Sequence, residues 1–292
     1  MVRQVKDVQL GDHLCLAFTH EAEQREVASA FVAAGLTRGE RVLYFADDPS
    51  GDRVHRWLRQ AGVDVTAATA SGQLDVRPAE EGYLAAGRFD PDVMIAALRG
   101  EVGDSLAAGF TGFRISGEMS WALRGTTGVE RLEEYERRVT ALFAEGMSAA
   151  ICQYDSRLFP AERLGALTGC HPERVQMNAL LQNGSLRVMP GFDAAGNQVL
   201  RVTGAIDSTT APAWSAILQN ATGGDGDVQV DMAGLEFIDV AGLRELVRVA
   251  AALPDGRRLH VLNLAPALDK VIRLVGWDRT AGLIVGTEVV PA

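Results

Sequence analysis

Two groups of residues have types and spacing that could do chemistry. The first lies in EFIDVAGLREL, Glu236 to Leu246, where apolar residues lead into Asp239 and a helical pattern opens with Val240, Ala241, Gly242 and Leu243. The first turn of a helix has free N–H groups and the positive end of its dipole, so such a junction suits a reactive or phosphorylated hydroxyl. Here the turn holds Val240 and Ala241, and neither can react. Asp239 is also a natural N-cap for the helix that follows. The second group follows short apolar runs: Thr19, His20 and Glu21; Asp47 and Asp48; Gly117, Glu118 and Trp121; Tyr154 and Asp155. If those runs are parallel strands, these residues gather outside the strands' carboxyl ends, where open sheets bind ligands. His20, Asp47, Glu118, Trp121 and Tyr154 are therefore the candidate pocket. A partly buried Glu118 would shift toward its neutral form and could bind a polar group or orient a proton. The competing structural reading has Glu118 capping a helix near Ser120 and pairing with Arg114 or Arg124, with Trp121 in the core. His13, at a strand entrance, reads as a turn-fixing hydrogen-bond residue.

Other chemistries lack their residues. No serine, histidine and acid are placed to form a triad, so no catalytic residue is assigned and the chain is expected not to be an enzyme. A nucleotide site would need a glycine-rich loop ending in Lys-Ser or Lys-Thr after the first strand. THEAEQREV stands there, and Glu21, Glu23 and Glu26 would repel phosphates. Cys15, Cys152 and Cys170 form no CxxC pair, which points to buried free thiols and not to a disulfide framework or a zinc knuckle. Cys170 and His171 are adjacent, and neighbours in sequence seldom converge on one ion. No metal and no cofactor are expected.

At 292 residues the chain is long enough for two domains with a core each. Apolar content of 47% with charged content of 23% is that of a folded globular protein. A net charge of -10, from 28 basic and 38 acidic residues, works against nucleic acid as a partner. The N-terminus lacks the apolar core of a signal peptide and no apolar run is long enough to span a bilayer. The expected location is the cytoplasm, with no membrane partner; self-association into a homo-oligomer is left open.

The elements that must position these residues are legible as patterns. HLCLAF (13–18), RVLYFA (41–46), GFRIS (112–116) and SAAICQY (148–154) have strand length and composition. Helical patterns lie between them at 21–36, at 90–108 after an Asp-Pro start, and at 130–144 with Leu132, Tyr135, Val139 and Leu142 as the apolar stripe. Alternation of buried strands with helices predicts an α/β domain with a parallel sheet covered on both faces. A weak helical pattern over 171–184 ends in Asn-Gly and marks the boundary. Beyond it, SLRVMPGF and QVLRVTGAI read as a hairpin around the turn DAAGN. Helices are then expected from the Asp207 to Pro212 cap to about 220, at 240–253 and at 266–275, with strands at 227–232 and 258–264 and in GLIVG. This predicts a mixed sheet with helices on one side.

Two resemblances follow from these motifs. LRVTGAIDSTTAP, VDMAGLEFIDVAGLREL and ALDKVIRLVGWD resemble the STAS domain of bacterial anti-sigma factor antagonists, over 185–292. GDHLCLAF, GLTRGERVLYFADD, GFRISGEMSWAL and CQYDSRLFP resemble the MEDS sensory domain, over 1–175, a family that looks like a degenerate RecA-type or Rossmann-like fold. The first resemblance implies a partner, an anti-sigma factor of the GHKL kinase type, docking on Asp239, Val240, Ala241, Gly242 and Leu243. The family's phosphoacceptor serine falls on Val240, which has no hydroxyl, so release by phosphorylation is chemically impossible there. Ser208, Thr209 and Thr210 stand where capping hydroxyls are expected. The second resemblance implies a small-molecule ligand in the pocket. Together they imply a regulator in which the sensor controls binding to an anti-sigma factor. The alternatives are an adaptor that assembles complexes without a ligand, and an enzyme with Glu118 as acid or base.

Overall fold

A computed structural model of the chain describes residues 1–85, 87–193, 195–223 and 226–286. The chain forms two compact units that divide between Gln176 and Met177. The expected turn DAAGN includes residue 194, and the last residues of the expected 185–292 domain are 287–292; both lie outside the described residues.

The first unit contains, in order, β1 (Val2–Gln4), β2 (His13–Phe18), α1 (Glu21–Thr37), β3 (Arg41–Ala46), α2 (Asp52–Gln60), α3 (Val65–Ala70), β4 (Leu74–Pro78), α4 (Ala79–Tyr83), α5 (Pro91–Ala107), β5 (Phe113–Glu118), α6 (Leu132–Phe143), β6 (Ser148–Asp155), α7 (Ala161–Thr168) and β7 (Glu173–Gln176). The seven strands pair in the order β1-β7-β2-β6-β5-β3-β4, all parallel. Every residue of β6 is buried, because helices cover both faces of the sheet. Alternate residues of β3 show the two layers: Leu43 and Phe45 join one core with Phe113, Tyr135 and Tyr154, while Val42 and Tyr44 join another with Val32 and Leu58. Asp90 caps α5 by accepting the N–H of Asp92, with Pro91 just inside the helix.

The strand β5 carries a buried charge. The Arg114 side chain is fully inaccessible and pairs with Glu40, its guanidinium 4.7 Å from the centre of the Phe31 ring. Burial lowers the pKa of Arg114, and Glu40 opposes that loss. Glu118 does not pair with Arg114, because that side chain is already committed to Glu40.

The second unit contains β8 (Leu181–Gln182), β9 (Leu186–Phe192), β10 (Gln198–Ile206), α8 (Ala211–Ala221), β11 (Val228–Ile238), α9 (Val240–Ala251), β12 (Leu259–Leu262), α10 (Pro266–Leu274) and β13 (Leu283–Gly286). Its sheet runs β13-β12-β11-β10-β9-β8. The hairpin strands are antiparallel and the pairs from β10 to β13 parallel, so the sheet is mixed. In β11, Val228, Val230 and Met232 are buried while Gln229 and Asp231 are less so, the period-two pattern of a sheet covered on one side. Residues of α8, α9 and α10 pack into that single core.

The expected helix over 171–184 is corrected. Glu173–Gln176 is a strand pairing with β1 and β2, and Leu181–Gln182 pairs with β9. Main-chain pairing with strands distant in sequence overrides a weak helical period.

Candidate functional site

The junction in the second unit is built by the end of β11 and the start of α9. The Asp239 carboxylate accepts the Gly242 N–H at 2.7 Å, and its own N–H donates to the carbonyl of Ile206 at 3.0 Å. Helix start, cap and neighbouring strand are thereby tied together. Val240 is 55% exposed, and Ala241 is exposed beside it. Phe237, two residues before Asp239, is 53% exposed. Gly242 and Leu243 are corrected as contact residues, since both are buried, Leu243 to 2%. Leu243 belongs to the core. A Cβ on Gly242 would lie 2.6 Å from Cγ2 of Ile206 and 2.8 Å from Cγ1 of Ile238, so only glycine lets α9 approach this closely.

Thr210 is buried, its hydroxyl accepting the Asp207 N–H at 2.9 Å. Ser208 and Thr209 are exposed, and the Thr209 hydroxyl donates to Asp207 at 2.6 Å. Hydrogen bonds that the Asp207 carboxylate accepts, first from the Thr209 hydroxyl and N–H and then from the Thr210 N–H, hold its pKa below the ordinary value.

In the first unit the carboxyl ends of the strands form a polar cavity of about 110 Å³, lined among others by Asp47, Arg53, Glu118, Gln153, Asp155 and Arg157. Glu118 is bound on both oxygens: Oε1 accepts the Tyr44 hydroxyl at 2.9 Å, and Oε2 accepts the Asp47 N–H at 2.9 Å and pairs with Arg53. Burial pushes the Glu118 carboxyl above its ordinary pKa, against the pull of Arg53 and these hydrogen bonds. Gln153 extends the network, accepting from Gln24 at 2.8 Å and donating to Ser116 at 2.7 Å. Asp155 accepts from Arg157 on both oxygens, at 2.8 and 2.6 Å.

Of the five expected pocket residues, Asp47 and Glu118 line this cavity. His20 instead caps α1, accepting the Ala22 N–H at 3.2 Å. Trp121 is fully buried and stacks on Tyr83 at 4.9 Å. Tyr154 lies in the opposite layer from Gln153, because neighbouring strand residues point to opposite faces, and its hydroxyl donates to Glu136 at 2.5 Å. Glu118 neither caps the segment at Ser120 nor pairs with Arg124, which binds Asp47 and Glu80. Its true partner Arg53 sits on α2, an element the strand and helix patterns passed over.

That opposite layer holds a second polar group, formed by His13, Glu136, Cys152 and His171, all buried. His13 is a core residue and not a turn residue. Glu136 was discoverable: it lies on the apolar stripe of α6, four residues after Leu132 and three before Val139. A charge on a buried helix face is the signal for a site.

A family model for the MEDS domain, "MEthanogen/methylotroph, DcmR Sensory domain", matches residues 12–172, more than half of the chain. The chain belongs to the MEDS family. A second model, "Mlab, STAS domain", matches residues 191–286, so this MEDS protein carries a STAS domain after its sensory domain. The pairing makes it a signalling regulator in broad class. Among solved structures, an anti-sigma factor antagonist from Mycobacterium paratuberculosis is similar at 27% identity, with a TM-score of 0.32, covering 36% of this chain and 90% of that one. A KaiC-like protein from the archaeon Pyrococcus horikoshii is similar at 14% identity, with a TM-score of 0.45, covering 65% of this chain and 89% of that one. No curated protein is similar enough to the chain to match it. Among the described residues, no helix of the MEDS protein is long and apolar enough to cross a membrane.

Proposed function

We propose that this MEDS protein is an anti-sigma factor antagonist-like regulator that acts by binding and has no catalytic step. Its STAS domain docks a GHKL-type anti-sigma kinase on the face around Asp239, Val240 and Ala241, flanked by Phe237. The observation that carries the reading is the exposed apolar pair Phe237, near the end of β11, and Val240, at the capped start of α9. Valine is close to serine in size and uncharged, so it presents the unphosphorylated form of the docking face at all times. Release by phosphate charge is impossible at this position. Control is therefore assigned to the sensory domain, where a small polar molecule in the cavity at Glu118 biases the affinity of the STAS face for its partner. Such a ligand works only through a difference in its own affinity between the two states. Both oxygens of Glu118 are engaged, which favours a ligand-orienting role over proton transfer.

The small volume of the cavity favours a second reading, in which the STAS domain assembles complexes with no sensed ligand. The test measures affinities of the full-length protein and its Val240→Asp variant for the anti-sigma kinases of the same organism. An unpaired charge buried at the contact costs roughly 2 kcal/mol or more, so the variant is expected to bind at least about 30-fold more weakly. Absence of any anti-sigma kinase that binds the full-length protein, or equal binding by the variant, overturns the reading.

A further inference from the structure

Neither proposed site uses the polar group inside the MEDS domain. His13 from β2, Glu136 from α6, Cys152 from β6 and His171 after α7 converge there, and one donor atom from each lies within 4.8 Å of all the others. His13 Nε2 is 3.3 Å and His171 Nε2 3.4 Å from Oε2 of Glu136. Cys152 Sγ is 3.5 Å from that same oxygen and 3.5 Å from His13 Nε2. Zinc held at about 2.0–2.1 Å from nitrogen and oxygen and about 2.3 Å from sulfur sets tetrahedral edges of roughly 3.3–3.7 Å. These four separations fit such edges. The two N···O separations among them, 3.3 and 3.4 Å, are longer than charge-assisted hydrogen bonds, which run to about 2.7–2.9 Å.

Proton placement leads to the same centre. His171 Nδ1 lies 3.0 Å from the carbonyl of Leu167, which can only accept, so this nitrogen carries the proton. His13 Nδ1 lies 2.8 Å from the Thr140 hydroxyl, whose own proton goes to the Glu136 carbonyl at 3.0 Å. That nitrogen is a donor as well. A neutral ring with its proton on Nδ1 presents a lone pair at Nε2, here toward a carboxylate, and His171 Nε2 is buried with no hydrogen-bond partner. Lone pairs from two imidazoles and a carboxylate facing one another in a dry interior need a cation between them. Fixing each Nδ1 on an outer acceptor is also how proteins aim a metal-binding histidine.

We propose that the MEDS domain binds one zinc ion through His13 Nε2, His171 Nε2, Cys152 Sγ and one oxygen of Glu136. The other Glu136 oxygen is held by Tyr154 at 2.5 Å. On binding, the Cys152 thiol loses its proton to solvent, and thiolate plus carboxylate offset the two charges of the ion. Nitrogen and sulfur donors select zinc over calcium or magnesium, which take oxygen ligands. Four protein ligands in a buried site leave no open position, so the ion is structural and ties the segment after α7 to β2, β6 and α6. Cys170 takes no part: its sulfur contacts the carbonyl of Ala166 at 3.2 Å.

The test uses the full-length protein, reduced and purified without added metal. Elemental analysis is expected to give one zinc per chain. After chelation, one equivalent of Co²⁺ is expected to produce the absorption of a tetrahedral site with a thiolate-to-cobalt charge-transfer band. Cys170→Ser keeps both the equivalent and the band; Cys152→Ala loses the band. If Cys152→Ala does not fold, the wild-type cobalt spectrum decides, because that band requires a thiolate on the metal. A folded wild-type protein that carries no zinc and takes up no cobalt overturns the proposal, and so does uptake with no charge-transfer band.

Discussion

Replacing Gly242 by alanine sets two opposed effects against each other at the junction of β11 and α9. Gly242 lies in the first turn of α9, where alanine is preferred over glycine by about 1 kcal/mol in a helix interior. Against this stand the two contacts that the new methyl group would make, at 2.6 Å with Ile206 and 2.8 Å with Ile238. Both isoleucines are buried and branched, so neither can swing away. Overpacking costs about 1–3 kcal/mol; two contacts this short on one methyl group belong in the upper part of that range, about 2–3 kcal/mol, and steric strain wins. The net loss is expected to be about 1–2 kcal/mol, a fall in the melting temperature of the STAS domain of roughly 4–12 °C. Relief of the clash moves the start of α9 outward, so binding at the proposed docking face is expected to weaken along with stability. Calorimetry of the full-length protein measures the first effect. Gly103→Ala provides the control: this glycine is exposed in α5 with open space around its Cα, so alanine there is expected to stabilise by up to about 1 kcal/mol. A Gly242→Ala protein as stable as wild type, or more stable, would refute the packing argument.

Further predictions concern the sensory domain. Glu40→Ala strands the buried guanidinium of Arg114 and is expected to cost about 3–5 kcal/mol in urea unfolding; a loss below about 1 kcal/mol would place the pair among weak surface bridges. Glu118 has a carboxyl raised above its ordinary value of 4.5, so its contribution to stability is full below that value and is lost as pH rises through the raised one. Urea titrations from about pH 4 to about pH 7 should show that decline in wild type and a flatter curve for Glu118→Gln; parallel curves would show that burial does not govern this acid. Thr210→Val removes the hydroxyl that accepts from Asp207 and donates to Ala205, leaves the Asp207 N–H unpaired, and should cost about 1–3 kcal/mol in the STAS domain.

Much of the architecture was legible because it depends on local periodicity. The four strands around His13, Arg41, Phe113 and Ser148 and the helix caps at Asp90 and Asp239 are set by neighbours in sequence. The chemical incapacity of Val240 likewise needs no coordinates. Short strands at and beside the sheet edges were not legible: β1, β4 and β7 owe their form to strands far along the chain, and over 171–184 a weak helical period pointed the wrong way.

The sequence by itself determined the alternation of strands and helices, the families it resembles, and the absence of a hydroxyl at Val240 in the first turn of α9. Tertiary structure alone decided which polar residues meet. Strand pleating sent Gln153 to the cavity at Glu118 and Tyr154 to the opposite layer, dividing a pocket that looked continuous. Parallel pairing brought His13 beside the strand of Cys152, and helix packing placed Glu136 and His171 over them. Those four residues span the domain in sequence and share no motif, because convergence in space depends on strand order and layer packing and leaves no periodic trace along the chain.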